Sequence, residues 1–150
     1  MPQSLVHNLI HLVYGTEDRR RWITDDVRPR LHAYQTGIFK KWDSPLLEIG
    51  GTDDHVHTLF SLSKNCALAK VVEEVKKGSS IWIKSESPRY ADFAWQKGYA
   101  AFSVSESNAR SVKAYIANQE AHHQKMDFDV ECAALFRKHG IVLNEGYPWG

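Results

Sequence analysis

Several absences bound this sequence. Its 150 residues contain only two cysteines, Cys66 and Cys132. They lie far apart and make no metal-type pair, so both read as reduced core thiols of a cytosolic protein. No apolar run approaches the ~20 residues that a membrane helix needs. Met1-Pro2-Gln3-Ser4 lacks the basic start and apolar core of a signal peptide. A cytoplasmic protein without membrane contact is therefore expected. A strong net charge is also missing: the formal value is +1, so composition does not by itself announce a nucleic-acid binder. Repeats, low-complexity segments and obvious linkers are absent. A single domain over residues 1–150 is expected, long enough to bury roughly two thirds of its unfolded surface.

What is present is ordinary in amount and informative in pattern. Hydrophobic residues make up 43% and charged residues 25%, as in soluble globular domains. The positive charge is clustered at Arg19-Arg20-Arg21, Arg28, Arg30, Lys40-Lys41, Lys76-Lys77 and Lys84. The C-terminal stretch is acidic, with Asp127, Asp129, Glu131 and Glu145 against Arg137 and Lys138. On charge alone, a DNA-facing basic surface and plain solvated helix faces are equally compatible.

Periodicity predicts the elements. Ser4–Tyr14 is β-rich and closed by Gly15. Asp25-Asp26 opens a helix in which Val27, Leu31, Tyr34 and Ile38 share one face, with Pro29 tolerable in the first turn. Gly37 weakens its last turn. Strands follow at Leu46–Gly50 and His55–Leu62, separated by the turn Gly50-Gly51-Thr52-Asp53. A second helix is expected over Ala67–Lys84, with Leu68, Val71, Val72, Val75 and Trp82 as its apolar stripe and Gly78-Ser79-Ser80 as an interruption. Ser87-Pro88 ends it. Phe93–Val104 reads as a fourth strand, kinked at Gly98. Ser105 or Ser107 caps a third helix through Lys125, with Ala109, Val112, Ile116 and Ala121 at apolar positions. A short helix covers Phe128–Lys138. The order β-α-β-β-α-β plus two helices is the split βαβ pattern. It predicts an α+β, ferredoxin-like antiparallel sheet of four to five strands, with helices on one face and an extra C-terminal helix.

The candidate chemistry sits in the stretch D-D-H-V-H-T, residues 53–58. On a strand, residues i and i+2 share a face, so His55 and His57 are neighbours and Val56 faces the opposite side. Two imidazoles at this spacing either hold one divalent metal or sit at a strand edge with unrelated partners. The third helix carries Tyr115 and Gln119 four residues apart, hence on one helical face. If that face meets the histidine strand, Gln119 can offer a carbonyl oxygen to the metal, with Tyr115 ~6 Å away along the axis. A tyrosine so placed is either a packing aromatic or a nucleophile, and with a free pKa near ~10 the latter needs activation. Asp54 orients an imidazole, approaches the metal or is a turn aspartate, with Asp53 as the alternative. His122 and His123 supply another ligand or are surface histidines. Trp82 and Tyr99 either stack on bases or fill the core; Trp95 is assigned to the core.

A resemblance enters on these motifs. G-G-T-D-D-H-V-H, V-K-K-G-S-S-I-W-I, W-Q-K-G-Y-A-A-F-S-V-S, Y-I-A-N-Q-E-A-H-H and E-G-Y-P-W occur in the order found in the HUH endonuclease superfamily. So does L-V-Y with the following Arg19-Arg20. The chain resembles the single-tyrosine transposases of bacterial insertion sequences that move as single-stranded DNA, and their REP-associated relatives. The resemblance implies that His55, His57 and Gln119 hold Mg²⁺ or Mn²⁺, with Asp54 and His122 as accessories. It implies that Tyr115 attacks a phosphodiester of single-stranded DNA at hairpin ends, giving a 5′-phosphotyrosine link and a free 3′-OH. It implies a homodimer in which the tyrosine helix docks either on its own metal strand or on the partner's. Arg19, Arg20, Arg21, Lys76, Lys77 and Lys84 are the candidate phosphate contacts. Two alternatives remain. One is a domesticated nucleic-acid binder that no longer cleaves; the other is a water-using phosphoesterase, disfavoured because no second His-x-Ser/Thr motif is present.

Overall fold

The structure is a computed structural model that describes residues 3–123 and 126–143. Its centre is a four-stranded sheet in the order β2-β3-β1-β4, built from β1 (Leu9–Gly15), β2 (Leu46–Gly51), β3 (His55–Ser61) and β4 (Ala100–Val104). Every neighbouring pair is antiparallel. The helices are α1 (Arg28–Lys41), α2 (Leu68–Glu86), α3 (Ala109–Ala117), α4 (Gln119–His123) and α5 (Phe128–Lys138). This is the expected split βαβ arrangement.

The period-2 alternation of β1 and β3 builds two separate cores. Ile10, Leu12, Tyr14, Val56 and Phe60 face α1 and α2, where they pack on Leu31, Phe39, Val71, Val72 and Val75. The opposite face is covered too. Leu9 and Leu59 meet Ala109 and Ile116 of α3, while Val13, Ala100 and Phe102 meet Phe128, Cys132 and Phe136 of α5. Helices therefore lie on both faces, and α3, which carries Tyr115, shares the second face with α5. Among the described residues no helix is long and apolar enough to cross a membrane. Cys66 and Cys132 do not pair in a disulfide, and Cys132 lies inside the second core.

Local corrections have identifiable causes. β1 begins at Leu9 rather than Ser4, because its partner β3 ends opposite it at Ser61. β4 begins at Ala100 rather than Phe93; Phe93 and Trp95 are buried from a loop instead. The Lys76 ammonium donates to the carbonyls of Gln96 and Gly98 at 2.6 and 2.9 Å, which occupies that loop's backbone. In α1 the buried stripe is Val27, Leu31, Gln35 and Phe39, so the face is turned from the one predicted. Gln35 is buried because its Nε2 donates to the Tyr14 hydroxyl at 2.7 Å. Tyr34 instead lies outside, stacked on Trp82 with ring centroids 5.4 Å apart. α2 runs unbroken through Gly78-Ser79-Ser80. Ser79 bonds back to the Val75 carbonyl and receives the Trp95 indole N–H at 3.0 Å, so a polar residue is satisfied inside the core. The third predicted helix is divided at Asn118, whose ψ of 21° interrupts α3 from α4, in keeping with the weak helix propensity of Asn. The predicted helix end at Lys125 and the E-G-Y-P-W motif lie outside the described residues.

Candidate active site

β3 turns His55 and His57 toward α3, α4 and α5, and both are fully buried. Each outer ring nitrogen is held by a neighbour. His55 Nδ1 lies 2.7 Å from Asp54 Oδ1, and Asp54 also accepts from Thr52 Oγ1 at 3.1 Å. His57 Nδ1 lies 2.9 Å from His11 Nε2 on β1. Both Nε2 atoms therefore point inward, the orientation a pair of metal-binding imidazoles needs. Asp53 is not part of this arrangement; its carboxylate lies 3.8 Å from Arg21 Nε.

The Gln119 side chain reaches the same space from α4. Its Oε1 lies 2.9 Å from His55 Nε2, while its Nε2 donates to Glu131 Oε2 at 3.1 Å. With His55 Nδ1–H donating to the Asp54 carboxylate, His55 Nε2 and Gln119 Oε1 face each other as two lone-pair donors. Either a second proton on the imidazole or a cation between the two satisfies both. The donor set thus fits a divalent metal on an observation internal to the site.

Glu131 of α5 links the remaining groups. Its Oε1 lies 3.0 Å from His57 Nε2 and 2.9 Å from His123 Nε2. Its Oε2 accepts a short hydrogen bond from the Tyr115 hydroxyl and lies 3.5 Å from His122 Nε2. Burial would raise this carboxyl, but hydrogen bonds from His123, His57 and Tyr115 outweigh it and hold Glu131 well below the ordinary carboxylate range. Tyr115 shifts the other way. Partial burial raises its phenol and the Glu131 carboxylate beside it adds to the effect, so the phenol keeps its proton far above neutral pH. Tyr115 also packs edge-on against His57, with ring centroids 5.6 Å apart. Two clefts open beside the cluster. One of about 490 Å³ is lined by His11, Ser103, Asn108, Ser111, Tyr115 and Lys138. The other, about 550 Å³, is lined by Arg28, His32, Gly50 and Gln119 among others.

The basic candidates do not converge. Arg19 sits in a turn where Asp18 and Arg19 have φ of 56° and 55°. That turn lays its guanidinium over the Phe128 ring at 4.8 Å and against Asp129 at 3.2 Å, so it docks α5. Arg20 covers Trp22. Arg21, Lys77 and Lys84 are exposed, the two lysines on α2. Lys76 is half-buried among backbone carbonyls, and burial lowers its pKa to about 8.

The buried histidines make stability depend on pH. Burial lowers His57 to about 4, partly offset by Glu131. Burial and then the neighbouring His57 lower His11 to about 3. Burial and Arg28 lower His32 to about 4. The folded chain keeps all three neutral where the unfolded chain protonates them near pH ~6.5, so the unfolded state binds more protons below that value and stability falls as pH drops toward 4. His123 opposes this. Burial would lower it, but Glu131 outweighs burial and raises it, so its share is present below pH ~6.5 and lost as pH rises. Three groups outweigh one. The metal-free protein should lose on the order of 5 kcal/mol in urea unfolding between pH 7 and 5; equal stability at the two pH values contradicts this.

Comparison with known proteins is specific at the level of family. The profile of the family described as "Transposase IS200 like" matches residues 5–119. The chain belongs to the IS200-like transposase family. No curated protein matches it. Among solved structures, a Deinococcus radiodurans R1 protein assigned as a transposase superposes with a TM-score of 0.62 at 22% identity, covering 79% of this chain and 96% of that one. A REP-associated tyrosine transposase bound to a REP hairpin superposes with a TM-score of 0.62 at 12% identity, covering 82% of this chain and 73% of that one. Both share the fold of this IS200-like chain.

The IS200-like match ends at Gln119. His123, one of the two histidines offered as a further ligand, joins the cluster at Glu131 Oε1, while two residues of the cluster escape a reading by motif: His11 and Glu131. Each left a local signal. His11 stands between Leu9 and Val13 on one strand face, a polar residue within an apolar alternation. Glu131 stands with Phe128, Cys132 and Phe136 on one helical face, all four buried. An acid in the first turn of a helix is also what the helix dipole favours, so position alone does not mark Glu131.

Proposed function

We propose that this IS200-like transposase cleaves and rejoins single-stranded DNA at the hairpin ends of a mobile element through a 5′-phosphotyrosine link to Tyr115. The observation that carries this reading is the convergence of Tyr115, His57 and Gln119 on the two oxygens of one buried carboxylate, that of Glu131. A nucleophile and a set of metal-capable donors are then one side chain apart, close enough for a single phosphodiester to touch both. Family membership supports the transposase chemistry, and the relative bound to a REP hairpin supports the substrate class.

His55 Nε2, His57 Nε2 and Gln119 Oε1 would hold Mg²⁺ or Mn²⁺, with Asp54 orienting His55. When bound, the ion draws charge off a non-bridging phosphate oxygen. Tyr115 Oη gives up its proton and forms the bond to phosphorus. The bond from phosphorus to the 3′ oxygen breaks, and that oxygen leaves as a 3′-OH on taking up a proton. Attack by another 3′-OH reverses the step without ATP, because the link conserves the phosphodiester energy. Until substrate arrives, Glu131 holds the phenol proton at Oη. Exposed Arg20, Arg21, Lys77 and Lys84 would track the DNA backbone; Arg19 and Lys76 contribute less, being engaged with Asp129 and with loop carbonyls.

The reading takes residues 1–150 as one cytoplasmic domain working as a homodimer. Tyr115 meets the carboxylate partner of His57 within one chain, which favours a site assembled in cis. One observation favours the alternative of a binder that no longer cleaves: His55, His57 and Gln119 are at most 1% exposed beneath α5, so a phosphate reaches them only if α5 lifts. The test is incubation with 5′-end hairpin single strands and Mn²⁺, followed by a denaturing gel. A slow-migrating covalent adduct that needs Mn²⁺ and is lost in His57→Ala is expected. DNA binding with no adduct for any hairpin taken from the flanks of the gene would leave the non-cleaving binder.

A further inference from the structure

The family match stops at residue 119, yet the cluster it leads into is completed by two residues beyond that point. His123 ends α4, and Glu131 lies one turn into α5. Three imidazole nitrogens converge on a single oxygen: Glu131 Oε1 is 2.9 Å from His123 Nε2, 3.0 Å from His57 Nε2 and 3.6 Å from His55 Nε2. One ligand atom from each of these four residues falls within 4.8 Å of all the others. Ligands ~2.1 Å from a common ion lie roughly 3.4 Å apart in a tetrahedron and ~4.2 Å apart across an octahedron. The cluster already has about that size.

We infer that His123 and Glu131 are metal ligands, so that the centre is His55, His57, His123 and Glu131 and selects Mn²⁺, Co²⁺ or Zn²⁺ over Mg²⁺. The inference rests on the reading above that the β3 histidines hold a metal, and changes its ligand set and its selectivity. The donor chemistry sets the preference. Mg²⁺ prefers an octahedron of oxygens and dehydrates reluctantly, whereas imidazole suits the later first-row ions. The surroundings are built for ligands. Asp54 and His11 hold the outer nitrogens of His55 and His57, and Phe128 stacks on His55 with centroids 4.2 Å apart and planes 13° apart. That stack sets the position of α5 one turn before Glu131. A dipositive ion would also offset a carboxylate that is 1% exposed among imidazoles. With Oε1 on the ion, Oε2 remains for Tyr115 and Gln119, so a single residue connects the metal to the nucleophile.

The test strips the full-length protein with EDTA and titrates it with Co²⁺, Mn²⁺ and Mg²⁺, by calorimetry for all three and by visible absorption for Co²⁺. Co²⁺ and Mn²⁺ are expected to bind at least ~10-fold tighter than Mg²⁺. Glu131→Gln and His123→Ala are each expected to weaken Co²⁺ by at least ~10-fold and to change its absorption bands, with circular dichroism unchanged. NMR of the unaltered, nitrogen-15-labelled protein tests the same point without a variant that could misfold: bound ¹¹³Cd²⁺, a diamagnetic stand-in for Zn²⁺, should show one-bond coupling to the His123 ring nitrogen along with those of His55 and His57. Cadmium coupling to His55 and His57 but not to His123, or wild-type Co²⁺ affinity in both variants while His57→Ala loses binding, would overturn the inference and leave the centre at His55, His57 and Gln119. Failure of the unaltered protein to bind any of the three ions would remove the metal from both proposals.

Discussion

Tyr115→Phe is expected to abolish the covalent protein–DNA adduct and lower strand cleavage by at least ~10⁴-fold, the scale on which removing the nucleophile of a covalent mechanism acts. The change deletes one oxygen and leaves the ring. The edge-on contacts of that ring with His57 and His11, at centroid separations of 5.6 and 6.1 Å, should persist. Glu131 keeps His57, His123 and Gln119 as donors, so no buried charge is stranded. Stability should therefore move by no more than ~1 kcal/mol, and hairpin affinity should stay within about twofold of the parent. A denaturing gel for the adduct, a mobility shift for binding and a urea melt for stability separate the three effects. An adduct that survives at parental levels in Tyr115→Phe would assign the nucleophile elsewhere.

Gly50→Ala should damage both the sheet and the helix docked on it. A Cβ at Gly50 would lie 2.2 Å from the Ile116 carbonyl oxygen, 3.1 Å from its carbon and 3.2 Å from Cγ2. The obstacle is α3 backbone, which cannot rotate away as a side chain can. Gly50 lies on β2, against which α3 packs, and Ile116 is next to Tyr115. Even one methyl therefore lifts the tyrosine helix from the sheet, at a cost of about 2–4 kcal/mol. Because Tyr115 and Gln119 ride on that docking, metal affinity and adduct formation should fall together with stability. Gly37→Ala is the control. It lies inside α1 with nothing within 4 Å of the added carbon, and should stabilise the protein by ~0.5–1 kcal/mol. Wild-type stability in Gly50→Ala would mean that α3 does not need this close approach.

The parts of this protein legible without coordinates are those set by local periodicity. Two-residue alternation put His55 and His57 on one face and Val56 on the other. Four-residue spacing put Tyr115 and Gln119 together, and their relation survives the break at Asn118: the Gln119 amide still lies 3.5 Å from the Tyr115 carbonyl. The order of strands and helices implied the sheet, because short connections and antiparallel pairing leave few ways to arrange β-α-β-β-α-β.

Other features depended on partners remote in the chain. Where β1 and β4 begin is decided by the strands beside them, and β propensity alone extended both too far. Gln35 is buried because Tyr14, twenty-one positions away, offers it a hydroxyl. Ser79 is tolerated inside α2 because Trp95 donates to it. The second face of the sheet is closed because α5 is apolar on one side and Arg19 anchors its start. The centre of the site follows the same rule. His57 and Glu131 are seventy-four positions apart, and no local pattern announces that they meet. By itself the sequence determined which residues share a face of each element, since that follows from the geometry of a single strand or helix. Only the tertiary structure decided which carboxylate those faces enclose, because that depends on how two helices pack across one sheet.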